Sequence, residues 1–429
     1  MDKESTICVV GMGYVGLPLA VEFDREGFDV IGYDIDPDVI SQLESGIDPT
    51  NELGDRAISH SSIKYTTDAT SIKQAQYVLI AVPTPVDDLK NPNLKYVESA
   101  AETIGQNLQP GAVVVLESTV YPGATREILA PTIEQESGLN VGEDFYVGYS
   151  PERMVPGDDE HGIRDVIKIV SGQTDTVRAE LAELYGTIVD AGIHEAPEIE
   201  VAEAAKAIEN IQRDVNIALM NELAIACQNI GLDTHDVLDA ARTKWNFHNY
   251  QPGLVGGHCI PVDPFFIIYE TERNGYTPKL IEQSREINEY MPTYIADLTL
   301  RGLNDCGKVL RDSTVLVLGL SYKPGVADIR TSVVGDTIKR LQEYDVAVIG
   351  SDPYADKVEA SEEFGIEMQS QPTFHDVDAV LLATPHQQYR EIDYVQRSGE
   401  MTAPPLIVDV DGVLDREKIE LAEIEYRRV

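Results

Sequence analysis

Short apolar runs alternate along the first half of the chain with segments in which apolar residues recur at helical spacing. The runs predict buried strands at residues 6–10, 29–33, 77–82, 112–116 and 146–150. Strands that alternate with helices are typical of a parallel sheet covered on both faces, whose ligand lies at the carboxyl ends of the strands. We therefore expect an α/β domain over residues 1–195.

A long helical segment follows, predicted from about Pro197 to Ile230 with Gly231 as its C-cap. Its apolar residues recur every three or four positions, at Val201, Ala205, Ile208, Ile211, Val215, Leu219 and Ala226. Because it is longer than an average globular helix, we expect it to connect domains and to carry a subunit interface. It belongs to a predicted central region, residues 196–305.

The last third of the chain repeats the pattern of the first. Further strands are predicted at 314–318, 346–350, 379–383 and 406–409. The stretch from Val348 to Asp352 resembles the stretch from Val30 to Asp34, which indicates a second α/β domain of similar winding over residues 306–429. The predicted fold class is therefore α/β, with two Rossmann-like doubly wound domains joined by a long central helix.

The net charge of the chain argues against some kinds of binding partner. Of its 429 residues, 33 are Lys or Arg and 74 are Asp or Glu, which gives a net charge of −41 at pH 7. Such a surface repels phosphate backbones and anionic lipids, so we expect no nucleic-acid and no membrane partner. No apolar run approaches the ~18 residues of a membrane span. The first residues lack a signal-peptide pattern, so a cytoplasmic protein is expected.

The acidity is spread along the chain and has two interpretations. It can serve solubility alone, or it can indicate a halophilic cytoplasm in which salt screens carboxylate repulsion; we favour the second. The four cysteines show neither a CxxC pair nor Cys/His metal spacing, so we expect reduced thiols and no metal. Of these, Cys8 and Cys227 lie in apolar segments and are expected in the core.

A glycine-rich loop predicts a dinucleotide site. Gly11, Gly13 and Gly16 form GxGxxG between a strand and a helix, and Asp34 ends the next strand. The glycines let backbone N–H groups approach a pyrophosphate, and Asp34 would accept hydrogen bonds from ribose hydroxyls, which favours NAD over NADP. The alternative is a plain tight turn. The predicted cofactor-binding residues of this domain are Gly11, Met12, Gly13, Tyr14, Val15, Gly16, Asp34, Pro83, Thr84, Ser118 and Thr119.

A second loop, at residues 256–264, places Cys259 close after two glycines, where a cysteine has little packing role. A thiolate there could attack an aldehyde to form a thiohemiacetal, and loss of a second hydride would give a thioester that water hydrolyses. Asp263 is a candidate base or water-positioning carboxylate. The alternative is that Cys259 is a small buried apolar residue.

The long helix carries polar residues on one face. Lys206 and Asn210 lie one turn apart, and Arg213 continues the same face. Lys206 and Asn210 could together bind a substrate oxygen and stabilise an alkoxide. The alternative is a solvated polar stripe, which the scarcity of basic residues in this chain disfavours.

These segments together resemble the nucleotide-sugar 6-dehydrogenases, the UDP-glucose/UDP-N-acetylmannosamine dehydrogenase family, over nearly the whole chain. The resemblance rests on residues 11–16, 82–85, 117–119, 150–153, 206–210, 256–263 and 322–330. It implies that C6 of a UDP-sugar is oxidised from alcohol to carboxylate with reduction of two NAD, for glycan or polysaccharide biosynthesis. It also implies a homodimer through the central helix.

The resemblance further implies roles for single residues. Cys259 is similar to the family's nucleophile, and Lys206 and Asp263 are similar to the pair that handles the alcohol proton and the oxyanion. Asn210 would bind that oxygen or the catalytic water, while Glu152 and Thr119 resemble residues that position water for thioester hydrolysis. Lys323 resembles a phosphate ligand, and Arg330 resembles a residue that reaches NAD. The implied substrate-binding residues are Glu152, Arg153, Met154, Lys206, Asn210, Tyr250, Gly253, Gly256 and Lys323.

The identity of the sugar is predicted from two stretches. Residues 258–264, His-Cys-Ile-Pro-Val-Asp-Pro, resemble the N-acetylhexosamine branch, and residues 409–414 lack an arginine that glucose-type enzymes commonly carry. UDP-N-acetyl-D-mannosamine is therefore the predicted substrate, with UDP-glucose or UDP-N-acetylglucosamine as alternatives. A two-electron hydroxyacid dehydrogenase and a non-catalytic NAD-binding scaffold are the rival classes. His258 is expected to be structural or to contact substrate, and His386 to be an ordinary loop residue.

Overall fold

The computed structural model describes residues 5–154 and 162–429, and the chain divides into two compact units. Unit 1 comprises Met1–Asn210 and Val262–Thr277, and unit 2 comprises Ile211–Pro261 and Pro278–Val429. The short segment 262–277 thus returns to the first unit after the chain has entered the second. The boundaries of the three domains proposed from the sequence stay a prediction.

Unit 1 is built on an eight-stranded sheet. Its strands are β1 Thr6–Val10, β2 Asp29–Tyr33, β3 Lys64–Thr66, β4 Tyr77–Ile80, β5 Val113–Leu116, β6 Tyr146–Tyr149, β7 Lys168–Gly172 and β8 Ile193–Glu195. The order is β3-β2-β1-β4-β5-β6-β7-β8, and all neighbours are parallel except β6 and β7. The strand order reverses between β1 and β4, which is the point where doubly wound sheets bind ligands.

The helices cover these strands and those of unit 2. They are α1 Gly16–Arg25, α2 Pro37–Glu44, α3 Asp55–His60, α4 Lys95–Gly105, α5 Ala130–Ser137, α6 Asp175–Tyr185, α7 Ile199–Asn229, α8 Thr234–Arg242, α9 Asp263–Arg273, α10 Lys279–Asp305, α11 Val334–Gln342, α12 Lys357–Phe364, α13 Gln387–Arg390, α14 Tyr394–Ser398 and α15 Arg416–Glu420. Helix α7 begins in unit 1 and ends in unit 2. Gly231 follows it at φ +77°, and the N–H of Leu232 donates to the carbonyl of Cys227, as expected of a glycine C-cap.

Unit 1 has an apolar core on each face of its sheet, because alternate residues of a strand point to opposite faces. In β1, Cys8 and Val10 pack into one core, while Ile7 and Val9 pack into the other. Burial raises the pKa of the Cys8 thiol to about 12. Cys8 and Cys227 are both buried, which confirms their predicted place in the core.

Unit 2 is built on a six-stranded, wholly parallel sheet. Its strands are β9 Thr314–Leu318, β10 Ala347–Ser351, β11 Glu367–Gln369, β12 Ala379–Leu382, β13 Leu406–Asp409 and β14 Glu425–Arg428. The order β11-β10-β9-β12-β13-β14 reverses between β9 and β12, as unit 1 does between β1 and β4. The predicted fold class, two Rossmann-like doubly wound domains joined by a long helix, is therefore confirmed.

Candidate active site

The glycine-rich loop of unit 1 has the geometry of a phosphate cradle. Gly11 has φ +97°, and a Cβ there would lie 2.6 Å from the carbonyl oxygen of Ala81. A Cβ at Gly16 would lie 1.8 Å from the carbonyl oxygen of Gly11, whereas a Cβ at Gly13 would meet only open space. Backbone atoms thus fill the space beside Gly11 and Gly16, whereas the space beside Gly13 is open to an approaching ligand. These residues therefore fit NAD.

Asp34 fixes this loop from the end of β2. Its Oδ2 accepts a hydrogen bond from the N–H of Met12 at 2.7 Å. The Met12 side chain is buried, and its sulfur would lie 2.7 Å from a Cβ at Gly32. Met12 can therefore offer a cofactor only its backbone, while Tyr14 is exposed and Val15 lies just before α1.

The other predicted cofactor residues of unit 1 follow β4, which lies beside β1 in the sheet, and β5, which lies beside β4. Pro83 and Thr84 come after β4, and Ser118 and Thr119 come after β5. The Ser118 hydroxyl donates to the carbonyl of Val82 at 2.6 Å, which ties the two loops together. The sheet therefore brings these residues to its carboxyl edge; their contact with a cofactor stays a prediction.

Glu152 is a buried carboxylate held in its ionised form. Its Oε1 accepts backbone N–H groups from Arg153 at 2.7 Å and Met154 at 2.6 Å, and its Oε2 lies 3.3 Å from Lys168 Nζ. Burial by itself would raise the pKa of Glu152. Lys168, the two N–H groups and Lys206 outweigh burial and hold it below its ordinary value. A group of this kind can accept a hydrogen bond from water or from a hydroxyl.

Lys168 is a site residue that the sequence analysis missed. It begins β7, and its side chain is 4% exposed. A single lysine inside the apolar run Val166-Ile-Lys-Ile-Val170, in a chain poor in lysine, was the available signal. Charged residues are seldom fully buried unless they are paired, so the pattern pointed to a buried acidic partner.

Helices α7 and α9 bring three predicted catalytic residues together within unit 1. Asn210 Nδ2 donates to Asp263 Oδ2 at 2.5 Å, and both side chains are buried. Asp263 is the first residue of α9, and Lys206 lies one turn before Asn210 on α7, half-buried. Arg153 pairs with Glu209 of the same helix at 2.7 Å. The hydrogen bond from Asn210 fixes the Asp263 carboxylate at the N-terminus of α9, where its negative charge is stabilised.

The cysteine loop lies in unit 2, and Cys259 is exposed. Gly257 has φ +95°, and its N–H donates to the carbonyl of Thr331 at 3.1 Å. His258 Nε2 lies 2.9 Å from Asp328 Oδ2, which Arg330 also binds at 2.8 Å. The pKa of Asp328 is lowered because these hydrogen bonds outweigh its burial. His258 thus fastens the loop to the segment that carries Arg330, in keeping with a structural role.

A pocket of about 210 Å³ lies at the carboxyl ends of β9, β12 and β13 in unit 2. Two predicted substrate residues, Gly256 and Lys323, line it, together with Asp411. Burial and the neighbouring Asp409 raise the pKa of Asp411 to about 7. Asp411 stands in the stretch where the resemblance lacks an arginine, and sequence reasoning did not single it out.

Two further predicted substrate residues, Tyr250 and Gly253, lie in the same unit. The amide of Gln212 donates to the Tyr250 hydroxyl at 2.7 Å. Gly253 exchanges two hydrogen bonds with the side chain of Asn221, at 2.7 and 3.1 Å. Both residues are thus anchored to α7, and their contact with substrate stays a prediction.

His386 lies in a loop of unit 2, as expected, but it also holds that part of the unit together through buried hydrogen bonds. It is fully buried; Gly325 N–H donates to its Nδ1 at 3.1 Å, and its Nε2 lies 3.0 Å from Asp352 Oδ2. Because a backbone N–H can only donate, the ring proton lies on Nε2 and points to Asp352. Asp352 also accepts the N–H of Leu320, so this counterpart of Asp34 holds the loop that carries Lys323.

The described residues show neither a metal-binding cluster nor a membrane-spanning helix. Within residues 5–154 and 162–429, no group of three or more His, Cys, Asp or Glu residues could hold a metal ion. Over the same described ranges, none of the helices has the length and apolar character needed to cross a membrane.

Comparison with known proteins gives similarity along the whole chain. The UDP-glucose/GDP-mannose dehydrogenase family matches in three parts: its NAD binding domain at 5–189, its central domain at 200–290 and its UDP binding domain at 316–416. The chain is 44% identical to Protein CapL of Staphylococcus aureus, over 98% of this chain and 99% of that protein. It is 40% identical to a UDP-N-acetyl-D-glucosamine 6-dehydrogenase of Pseudomonas aeruginosa, with the same coverage. A solved structure, the UDP-D-ManNAc dehydrogenase of Pyrococcus horikoshii, is 30% identical with a TM-score of 0.89 over 99% of both chains.

Proposed function

We propose that this chain, which belongs to the UDP-glucose/GDP-mannose dehydrogenase family, oxidises C6 of a UDP-N-acetylhexosamine to the carboxylate. Membership of the family makes the protein an NAD-dependent UDP-sugar 6-dehydrogenase. The observation that carries the narrower sugar class is the 40% identity, over 98% of the chain, to an enzyme named for UDP-N-acetyl-D-glucosamine.

Residues of unit 1 are proposed to prepare the alcohol. The Lys206 ammonium donates a hydrogen bond to the C6 oxygen and stabilises negative charge on it. Asp263, held by the 2.5 Å hydrogen bond from Asn210, accepts the hydroxyl proton. The glycine-rich loop would hold NAD, which would supply the hydride acceptor for each of the two oxidations.

Cys259 is the proposed nucleophile. Its thiol adds to the C6 aldehyde: the S–C bond forms, and the proton goes to the carbonyl oxygen. The thiohemiacetal then loses a hydride from C6 and a proton from its hydroxyl, which gives a thioester. Water adds to that thioester, the thiol leaves, and a carboxylate and a proton are released. Glu152 and Thr119 orient this water, which suits a carboxylate that stays ionised.

Two sugars are candidates, and they differ only in configuration at C2. UDP-N-acetyl-D-mannosamine is the sugar predicted from the cysteine loop and the one named for the similar Pyrococcus structure. UDP-N-acetyl-D-glucosamine is named for the relative with the higher identity. NADH release should be measured with both, with UDP-glucose and UDP-galactose for comparison, in molar KCl. Failure of all four sugars would contradict the proposal.

The covalent mechanism has its own test. The intact protein should release two NADH per sugar, and Cys259→Ser should form no uronate because a serine hydroxyl is a far weaker nucleophile. Cys306→Ser, a matched change at a partly buried thiol, should keep the two-to-one ratio. One NADH per substrate with normal turnover of Cys259→Ser would indicate the two-electron hydroxyacid dehydrogenase instead.

We also propose that the protein is a cytoplasmic homodimer that pairs through α7. Leu219 and Leu223 lie one turn apart on that helix and expose 48% and 38% of their surface, which is unusual for neighbouring leucines. Cys8, Cys227 and Cys306 form no disulfide, which suits a reducing compartment. Leu219→Glu should convert a dimer to a monomer in light scattering. A monomeric parent protein would contradict the proposal.

A further inference from the structure

Behind Glu152 lies a buried cluster of charges that the proposed chemistry does not use directly. Lys168 Nζ donates to Glu117 Oε2 at 2.7 Å, to the carbonyl of Pro151 at 3.0 Å and to Glu152 Oε2 at 3.3 Å. The three protons of the ammonium thus have three acceptors. The exposed fractions are 4% for Lys168, 0% for Glu117 and 11% for Glu152.

The cluster holds two carboxylates and one ammonium, so its two acids compete for the same cation. The Tyr185 hydroxyl donates a hydrogen bond to the second carboxylate oxygen of Glu117, and burial raises the pKa of Glu117 above its ordinary value. Glu152 has two backbone N–H groups besides Lys168, and its pKa is lowered. The two acids titrate as a coupled pair, so the charge of Glu117 influences how readily Glu152 is protonated.

The other charged groups around Glu152 come from the neighbouring elements of unit 1. Lys206 on α7 lowers its pKa, as Lys168 does, while Glu117 and Tyr185 complete the buried side of the cluster. Arg153 is drawn toward Glu209 by their 2.7 Å ion pair. Lys168 is thus the cation in hydrogen-bond contact with Glu152 among the residues described, and its removal would leave two buried carboxylates facing each other.

We propose that Lys168 is a positioning residue for thioester hydrolysis: it holds the Glu152 carboxylate ionised and oriented toward the attacking water, while Glu117 sets how strongly it does so. The proposal rests on the proposed function, in which Glu152 orients that water. It gives Lys168 and Glu117, the two charged neighbours of Glu152, opposite effects on one measurable quantity, the pH at which kcat falls in acid.

The test is the pH profile of kcat for purified full-length variants. In Lys168→Met the acid limb of kcat should move to higher pH by about one unit or more, because the cation that favours ionised Glu152 is gone. In Glu117→Gln it should move to lower pH, because a like charge is removed while the amide can still accept from Lys168. Lys168→Arg, which keeps the charge, should restore the parent profile.

A purely structural role would not move the limb in opposite directions. Lys308→Met is the matched control, since this lysine of unit 2 is 9% exposed and paired with Asp378 at 3.1 Å. It should lower thermal stability and leave the acid limb in place. If Lys168→Met does not fold, Glu117→Gln and Lys168→Arg decide the question. An unchanged limb in folded Glu117→Gln would overturn the inference, whereas absence of any UDP-sugar turnover by the parent protein would refute the proposed function instead.

Discussion

Asp411 offers a quantitative prediction about substrate binding. It lines the unit 2 pocket together with Lys323, and its pKa of about 7 means that it changes charge near neutrality. If this pocket receives the diphosphate side of a UDP-sugar, an ionised Asp411 repels the ligand and a neutral one does not. Affinity should therefore fall as the pH rises through the pKa.

The magnitude follows from the pKa. If only the neutral form of Asp411 admits the ligand, Kd grows as 1 + 10^(pH − pKa), so it should rise about tenfold between pH 6 and pH 8. A tenfold change corresponds to about 1.4 kcal/mol of binding free energy. Asp409 pushes the pKa upward and Arg390 pushes it downward, so changes at those residues would shift the midpoint without removing the dependence.

The assay is calorimetric titration with UDP-N-acetylglucosamine and UDP-N-acetylmannosamine in the absence of NAD, so that no turnover occurs. Asp411→Asn should bind with an affinity independent of pH, because its amide does not titrate. Asp336→Asn, at a carboxylate that is 64% exposed on α11, should keep the parent dependence. The reasoning would be refuted if Kd still rose tenfold between pH 6 and pH 8 in Asp411→Asn, or if Kd did not change with pH in the parent protein.

Three further outcomes are expected. Gly16→Ala should abolish NAD binding in fluorescence titration, because the new Cβ would lie 1.8 Å from the Gly11 carbonyl oxygen. Undiminished binding would refute the assignment of this loop as the phosphate-binding loop. His386→Ala should lower the free energy of unfolding by about 1–3 kcal/mol in urea, because buried Asp352 loses one of its hydrogen-bond donors, and should weaken UDP-sugar binding; an unchanged urea midpoint would contradict this. The melting temperature should rise from dilute buffer to molar KCl, because salt screens the repulsion behind the net charge of −41; equal melting temperatures would count against a halophilic origin.

Much of the fold could be predicted from the sequence because its signals are local. The strands β1 and β9 were predicted to the residue, and α7 to within two residues, since apolar runs and helical spacing depend only on neighbours along the chain. The glycine-rich loop was equally readable. A Cβ at Gly11 or Gly16 would collide with backbone, so the residue type itself reports the local geometry.

The tertiary structure alone decided which distant residues meet. Lys168 contacts Glu117 across 51 positions, and His386 contacts Asp352 across 34. At such separations the sequence pattern does not indicate which residues are close in space. The same holds for Asp411, whose pKa depends on burial and on Asp409. The sequence by itself determined the central strands of both sheets, the long helix and the chemical types of the candidate site residues, whereas β3, β7, β8, β11 and β14 were not predicted. Burial and pairing determined which of these are charged, because both depend on chain segments that only folding brings together.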